Sequence, residues 1–291
     1  MFVKIIITGG AGFLGSNFIR YLINKYPNYK ILNIDKLTYA GNLENLRDIE
    51  KHKNYHFIHG DICDAKMIKQ IFPGTKAIVN FAAESSVELS MVKPSNFITS
   101  NICGTFSLLE ASRESRINRF IQISSDEVYG EACSPEGCNR PSSETDPFMP
   151  KSPYAASKAA ADRLVYAYFS AYKVPAVIVR CSNIFGPYQH TEKVIPLFIT
   201  NALEEKELPI HGDGKSIREW TPVNDLCRVI DLTLHTPSIE GQAFNIGSGI
   251  EKNINEIASM ILTLTGKPNT LIRYVNQRQS VVRRHAVSAK K

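Results

Sequence analysis

No apolar run in this 291-residue sequence reaches the roughly 20 residues that a membrane-spanning helix needs. The N-terminus lacks the basic region and cleavage site of a secretory signal. It passes instead into Phe2-Val3-Lys4-Ile5-Ile6-Ile7-Thr8, which reads as a buried strand. These absences lead us to expect a cytoplasmic protein with no membrane partner. Internal repeats and low-complexity linkers are missing too, which excludes solenoids and arrays. The six cysteines, at 63, 103, 133, 138, 181 and 227, have no metal-ligand spacing with histidine partners, so no metal is expected. Cys133 and Cys138 share a loop and could bridge, but a reducing cytoplasm favours free thiols. Net charge is +6, with Lys and Arg spread along the chain rather than gathered in a run. No nucleic-acid partner is expected from that pattern, and the modest excess fits attraction of an anionic small molecule.

What is present reads as an α/β protein. The chain is long for one simple core, so one large domain with an appended lobe is the natural expectation. The first strand runs into Gly9-Gly10-Ala11-Gly12-Phe13-Leu14-Gly15, then a helical stretch over 16–26. Glycines there allow a tight turn, close approach of a pyrophosphate and close helix–strand packing, with the helix N-terminus facing the phosphates. A second strand, Lys30-Ile31-Leu32-Asn33-Ile34-Asp35, ends in an acid. That acid lies about 20 residues beyond the motif, where a ribose diol would be held. A carboxylate there suits NAD and repels the extra phosphate of NADP. Further strands read at 55–59, 77–80, 119–124 and 176–180, with helices over 65–72, 94–114 and 154–172. This alternation predicts a Rossmann-type, doubly wound parallel sheet over 1–180. Ligands of such a sheet sit at the carboxyl ends of its strands, where Asp61-Ile62 and Phe81-Ala82-Ala83-Glu84-Ser85 fall.

Two stretches carry candidate chemistry. In Tyr154-Ala155-Ala156-Ser157-Lys158 the tyrosine and lysine are four apart on one helix face. A tyrosine with an ordinary pKa of about 10 is a poor base at neutral pH. A lysine ammonium beside it favours the phenolate, so the pair could take a proton from an alcohol while a nearby acceptor removes hydride. The second stretch is Ser124-Ser125-Asp126-Glu127-Val128-Tyr129-Gly130. Adjacent strand residues face opposite ways, so Asp126 and Glu127 can both reach one substrate only if the strand has ended, and Gly130 is consistent with such a break. On its own the pair also fits a solvated acidic turn. The loop over 131–152 is rich in Pro, Ser, Gly and Cys and is expected beside the site.

Beyond Cys181-Ser182-Asn183 the rhythm changes. Helices over 194–206, 223–235 and 255–265 alternate with short strands at 208–211 and 243–246. Residues 181–291 read mainly as a smaller substrate-binding lobe interleaved with the first domain, with later segments returning to the sheet.

Taken together, these stretches resemble the extended short-chain dehydrogenase/reductase family, and within it the nucleotide-sugar 4,6-dehydratases of the dTDP-glucose type. The resemblance covers nearly the whole chain. Its most specific pieces are Asp35-Lys36-Leu37-Thr38-Tyr39-Ala40-Gly41-Asn42, the Ser125–Gly130 stretch, and Gly186-Pro187-Tyr188-Gln189-His190. The Asp-Glu pair discriminates: related epimerases lack it, and related decarboxylases usually keep only the glutamate. The resemblance implies that Phe13, Leu14, Asp35, Lys36, Leu37, Thr38, Asp61, Ile62, Phe81, Ala82, Ala83, Ser85 and Ser100 line an NAD site together with Gly9, Gly12, Gly15, Tyr154 and Lys158. It implies sugar contacts from Ser85, Ser125 and Asn183. Lys193, Val194, Arg218, Asn253 and Arg278 would serve the substrate backbone or diphosphate, and Pro209, Ile210 and His211 the base. The implied reaction is redox-neutral. Tyr154 with Lys158 takes the C4 hydroxyl proton as hydride leaves C4, Glu127 takes the C5 proton, Asp126 protonates the departing C6 hydroxyl, and hydride returns to C6. The product is a 4-keto-6-deoxy sugar. Other NAD-dependent sugar-nucleotide enzymes, a 4-epimerase or a decarboxylase, and a non-catalytic NAD-binding protein are the alternatives.

The sequence departs from the family in places. Ser86, Glu88 and Leu89 stand where it has histidine, aspartate and arginine, Ser125 replaces threonine, and Ile184 replaces asparagine. Gln277-Arg278-Gln279-Ser280-Val281-Val282 keeps only the arginine of Asp-Arg-Pro-Gly-His-Asp. The resemblance further implies a homodimer through the helices over 94–114 and 154–172. The basic stretch from Arg283 to Lys291 offers little to bury. It is expected to be poorly ordered, leaving a substrate lobe short at its C-terminus and a nucleotide half-site that binds weakly.

Overall fold

A computed structural model describes residues 3–132, 140–277 and 282–291. The first part of the chain forms β1 (Val3–Thr8), α1 (Phe13–Lys25), β2 (Tyr29–Asp35), β3 (Tyr55–His59), α2 (Ala65–Ile71), β4 (Thr75–Asn80), α3 (Val87–Val92), α4 (Pro94–Phe97), α5 (Gly104–Ser115), β5 (Arg119–Ser125), α6 (Pro153–Tyr172) and β6 (Ala176–Cys181). The remainder forms β7 (Asn183–Phe185), α7 (Val194–Leu203), β8 (Leu208–His211), β9 (Ile217–Pro222), α8 (Val223–His235), β10 (Ala243–Ile246), β11 (Glu251–Asn253), α9 (Ile254–Thr265), β12 (Ile272–Val275) and β13 (Arg284–His285). The helix expected over 94–114 is continuous but not uniform, because Ile98–Cys103 between α4 and α5 is π-helical. Such widened turns concentrate at functional sites, and Ser100 lies in this one.

The main sheet has the order β10-β6-β5-β4-β1-β2-β3 among the described residues, with every pair parallel. Strand alternation splits its core in two. Ile5 and Ile7 of β1 pack with Phe18, Ile19 and Leu22 of α1 and with Leu226 and Ile230 of α8. Ile6, between them in sequence, packs on the other face with Phe72, Leu108, Leu109 and Val165. Each such side chain, fully buried, contributes roughly 1.5–3 kcal/mol. The sheet's order reverses at β1, which sits between β2 and β4, and the crevice beyond the carboxyl ends of β1 and β4 is where such a fold binds ligands.

The smaller lobe has its own core of Phe198, Leu208, Ile210, Trp220, Ile257 and Leu262. There β9 pairs with β7, β11 and β13, and β8 pairs with β12. β10, from within this half of the sequence, returns to the edge of the main sheet beside β6.

The end of the chain corrects the expectation of disorder. β13 pairs with β9, and His285, Ala286 and Val287 are buried. The tail lies between the lobe and the loop after β5. Ala132 N–H donates to Arg284 O at 3.0 Å, Ser142 N–H to Ala286 O at 2.9 Å, and Ser288 N–H to Ser142 O at 2.8 Å. Two of the basic residues that suggested solvation are used in ion pairs. Arg283 meets Asp213 at 3.0 Å, and Arg284 binds both oxygens of Glu251 at 2.6 Å. Composition missed this because the partners of these arginines lie more than 30 residues away. Cys133 and Cys138 lie outside the described residues.

Candidate active site

The crevice begins at the turn after β1. Gly9 has φ +69°, and a Cβ on it would sit 2.6 Å from the Ala82 nitrogen. The loops after β1 and β4 therefore touch only because Gly9 has no side chain. A Cβ on Gly15 would meet Gly9 O at 2.5 Å, so α1 packs directly against the turn. Gly12 caps α1 without a side-chain hydrogen bond, which leaves the first N–H groups of that helix available to an anion. At the end of β2, Asp35 accepts from Ala11 N–H at 2.9 Å on Oδ2 and from Leu37 N–H at 2.8 Å on Oδ1. Burial pushes its carboxyl up, against the pull of those two N–H groups. A carboxylate has about four lone-pair sites, so acceptor capacity for a diol remains. The cradle that only glycine permits, and the buried acid beside it, fit a dinucleotide.

The crevice continues past Lys36, Thr38, Asp61 and Ile62 to Phe81, Ala82, Ala83, Ser85 and Ser100, all of which line it. Lys36 and Asp61 are paired across its rim at 2.7 Å. Leu37 does not line it; its φ of +55° turns the chain and aims its N–H at Asp35.

β5 ends at Ser125, and Asp126–Tyr129 form a 3-10 turn. The break carries both carboxyl groups to the crevice with Tyr154 and Lys158. Asp126 is 4% exposed. Its Oδ1 accepts from the Ser125 hydroxyl at 3.3 Å, and its Oδ2 is buried with no partner. Burial, then the neighbouring Glu127, raise its carboxyl to about 7. Glu127 is also raised by burial, opposed by Arg218 and Lys193. One acid is thus poised to stay protonated near neutral pH, as two close carboxyl groups require.

Tyr154 stands at the start of α6, whose first turn is capped by Ser152 accepting from Ala155 N–H at 3.1 Å. The Phe97 ring meets the Tyr154 ring edge-on at 6.3 Å. The phenol is raised well above its ordinary value by burial and then by Glu127, and its hydrogen bond with Ser125 opposes them. Lys158 is buried and donates to Ile123 O at 2.6 Å. The effect expected of its ammonium, a lowered phenol, does not outweigh burial and the nearby carboxyl charge in this structure. Burial lowers Lys158 itself, while the charge of Asp162, one turn along α6, raises it.

The substrate-binding expectations divide. Ser85, Ser125, Asn183, Lys193 and Val194 line the same crevice, and Lys193 donates to Ser85 O at 3.2 Å across it. Pro209, Ile210, His211, Arg218 and Asn253 do not line it. The Ile210 side chain is 0% exposed, in the core of the lobe. Asn253 caps α9 by accepting from Glu256 N–H at 2.9 Å. His211 Nδ1 is engaged with Asn276 O at 2.9 Å. Arg218 is half-buried where its charge acts on Asp126 and Glu127. Arg278 lies outside the described residues. Sequence reasoning passed over Cys181, Ser182, Gln189, His190, Glu192 and Trp220, which also line the crevice. The first two follow from their place at the end of β6, and Gln189 and His190 lie in a motif already singled out. Nothing local marks Trp220, brought there by the pairing of β9 with β7.

Comparison with known proteins gives consistent matches. The family described as GDP-mannose 4,6 dehydratase matches residues 6–290. The low-salt glycan biosynthesis protein of Haloferax volcanii is 42% identical over 289 residues, 99% of this chain and 91% of that one. The dTDP-glucose 4,6-dehydratase 1 of Escherichia coli strain K12 is 42% identical over 312 residues, 99% of this chain and 86% of that one. The crystal structure of dTDP-glucose 4,6-dehydratase from Streptomyces venezuelae, with NAD and TDP bound, overlays with a TM-score of 0.94 at 39% identity, covering 99% of this chain and 88% of that one. A UDP-glucose 4-epimerase from Thermotoga maritima overlays with a TM-score of 0.90 at 28% identity, covering 99% and 90% of the two chains.

Proposed function

The chain belongs to the GDP-mannose 4,6-dehydratase family of extended short-chain dehydrogenase/reductases, and from that premise we propose that it is an NAD-dependent nucleotide-sugar 4,6-dehydratase. Its substrate on this reading is dTDP-glucose, and its product the 4-keto-6-deoxy sugar nucleotide. The observation that carries the reading is the acid pair. Asp126, raised to about 7 with Oδ2 unpartnered, and Glu127 share one crevice with Tyr154 and Lys158.

Gly9, Gly12, Gly15, Asp35 and the loop from Phe81 to Ser85 would hold NAD. What NAD supplies when bound is a hydride acceptor and a positive charge. Tyr154 takes the C4 hydroxyl proton, and Lys158 supports the phenolate. Glu127 takes the C5 proton, made acidic by the C4 ketone, and Asp126 gives its proton to the departing C6 hydroxyl. Carboxyl groups set apart by environment suit such divided acid and base work. Arg218, behind the pair, balances its charge. Ser85, Asn183 and Lys193 would orient the sugar and diphosphate.

A second reading, a 4-epimerase, is favoured only by the shared fold, which does not fix function. An epimerase has no leaving water for Asp126 to protonate. Incubation with dTDP-glucose, UDP-glucose and GDP-mannose, with NMR identification of the product, tests the proposal. Loss of the C6 hydroxyl with a C4 ketone is expected, whereas a C4 epimer would replace the first reading by the second.

We also place the protein in the cytoplasm as a homodimer. Cys63, Cys103, Cys181 and Cys227 are free, which suits a reducing compartment. No helix among the described residues is long and apolar enough to cross a membrane. Ile98, Phe106, Tyr166 and Tyr172 expose apolar surface on the π-helical turn, α5 and α6. Sedimentation of a monomer at micromolar concentration would refute the dimer.

A further inference from the structure

A redox-neutral dehydration, the reading on which this inference rests, sets a demand that the acid pair does not meet. The hydride taken from C4 must return to C6 of the same sugar. Escape of the reduced cofactor between the two transfers would carry that hydride away and strand an oxidised sugar. Something in the protein has to slow that escape. Residues 186–192, between β7 and α7, are placed to do so. Gln189, His190 and Glu192 line the same crevice as Gly9, Gly12, Asp35 and Thr38.

This segment is held at both ends by the NAD-side domain. At one end Asn17 of α1 donates from Nδ2 to Pro187 O at 2.9 Å, and the Arg20 guanidinium lies 4.0 Å from the centre of the Tyr188 ring. At the other end stands Tyr39, in the loop after β2. Its phenol donates to Glu192 Oε1 at 3.4 Å, and its ring meets His190 edge-on at 5.8 Å. With the phenol's one proton turned to Glu192, the Ser85 hydroxyl donates to it at 3.2 Å. Burial raises the Tyr39 phenol to about 12, so the proton stays in place at neutral pH. The backbone between the two ends is constrained as well. Gly186 has φ +153°, and a Cβ on it would meet Val223 Cγ1 at 2.5 Å. Tyr188 has φ +66°, a region costly for any residue but glycine. Gln189 Nε2 donates back to Ile184 O at 3.0 Å. The segment thus runs from α1 to the loop after β2, the elements that flank the glycine turn. Asn17, Arg20 and Tyr39 themselves do not line the crevice.

We propose that residues 186–192 are a strap that keeps the dinucleotide in its crevice, with Asn17 and Tyr39 as the catches at its two ends. The strap is a lid in the sense that its opening, not the chemistry, sets how fast the cofactor exchanges. Asn17 and Tyr39 are positioning residues, because they touch the strap and not the dinucleotide. Freeing either end lets the strap swing away. The catches therefore set the rates of entry and exit together, and affinity is left to Asp35 and the glycine turn. A contact to the dinucleotide itself would behave differently: its loss would speed exit alone and weaken binding.

The test is exchange of radiolabelled NAD from the loaded protein into excess unlabelled NAD, with Kd measured separately by calorimetry. It compares wild type, Tyr39→Phe and Asn17→Ala. Tyr39→Phe keeps the ring and loses both hydroxyl contacts, and Asn17→Ala loses the contact to Pro187. Each variant should release NAD roughly tenfold faster, the worth of about one hydrogen bond. Kd should be unchanged, with association faster by the same factor; an unchanged Kd also shows that the variant is folded. Release at the wild-type rate in both variants would overturn the strap. Faster release in only one of them would overturn a strap held at two ends. Faster release with association unchanged, and hence a weaker Kd, would make these residues cofactor contacts and overturn it too. A wild type that binds no NAD would overturn the cofactor assignment, and the strap with it.

Discussion

The NAD-side crevice and the smaller lobe are built by different rules. In the crevice one functional group stands at the end of each of six strands of one parallel sheet: Gly9 after β1, Asp35 closing β2, Asp61 after β3, Phe81 after β4, Asp126 after β5 and Ser182 after β6. Parallel strands point their carboxyl ends the same way, so residues distant in sequence meet without further instruction. The lobe has no such common end. β9 takes partners from 183–185, 251–253 and 284–285, and its functional placements depend on which strands pair and in what register. Crevice residues could therefore be picked out from local motifs, while Ile210, Asn253 and Arg218 took core, capping and charge-balancing places.

The comparison breaks most visibly if the crevice is not the reaction centre. Tyr154→Phe should lower turnover about 10²–10⁴-fold while calorimetry shows substrate binding little changed. Near-normal turnover would remove the tyrosine from its role. Next in size, Asp35→Ala should weaken NAD binding by roughly one to two decades, the worth of hydrogen bonds to a charged group. Unchanged affinity would mean that the strand-end rule fails at β2. The lobe is probed by Arg284→Ala, which removes both contacts to Glu251 and should cost on the order of 1–2 kcal/mol in thermal or urea unfolding. A variant as stable as wild type would show that the tail is no structural part of the lobe.

A further effect is a pH dependence that sharpens the contrast. The folded-state value of Asp126, about 7, lies above the roughly 3.9 of an unfolded chain. Between those values the folded state binds more protons, so this group's contribution to stability is full below about pH 4 and lost as pH rises through about 7. Glu127 is raised as well and adds in the same sense. Asp126→Asn should therefore flatten the fall of the melting temperature between pH 4 and 8, with its largest relative stabilisation at pH 8. An unchanged slope would place the strained acid elsewhere.

Some of this molecule was determined by sequence alone. Alternating strand and helix patterns, the Gly9–Gly15 turn and the acid closing β2 require only local geometry, so the Rossmann architecture and its NAD cradle were legible. The Tyr154–Lys158 pair was legible because four residues make about one helical turn. Tertiary structure alone decided the rest. Whether Lys158 or burial governs the Tyr154 phenol depends on how much water and charge surround it, which no spacing reports. Whether the basic tail is solvated or threaded depends on Glu251, Asp213 and Ser142 being brought to it. Local pattern sets where a chain turns and which face is apolar; desolvation and long-range pairing exist only once distant segments have met.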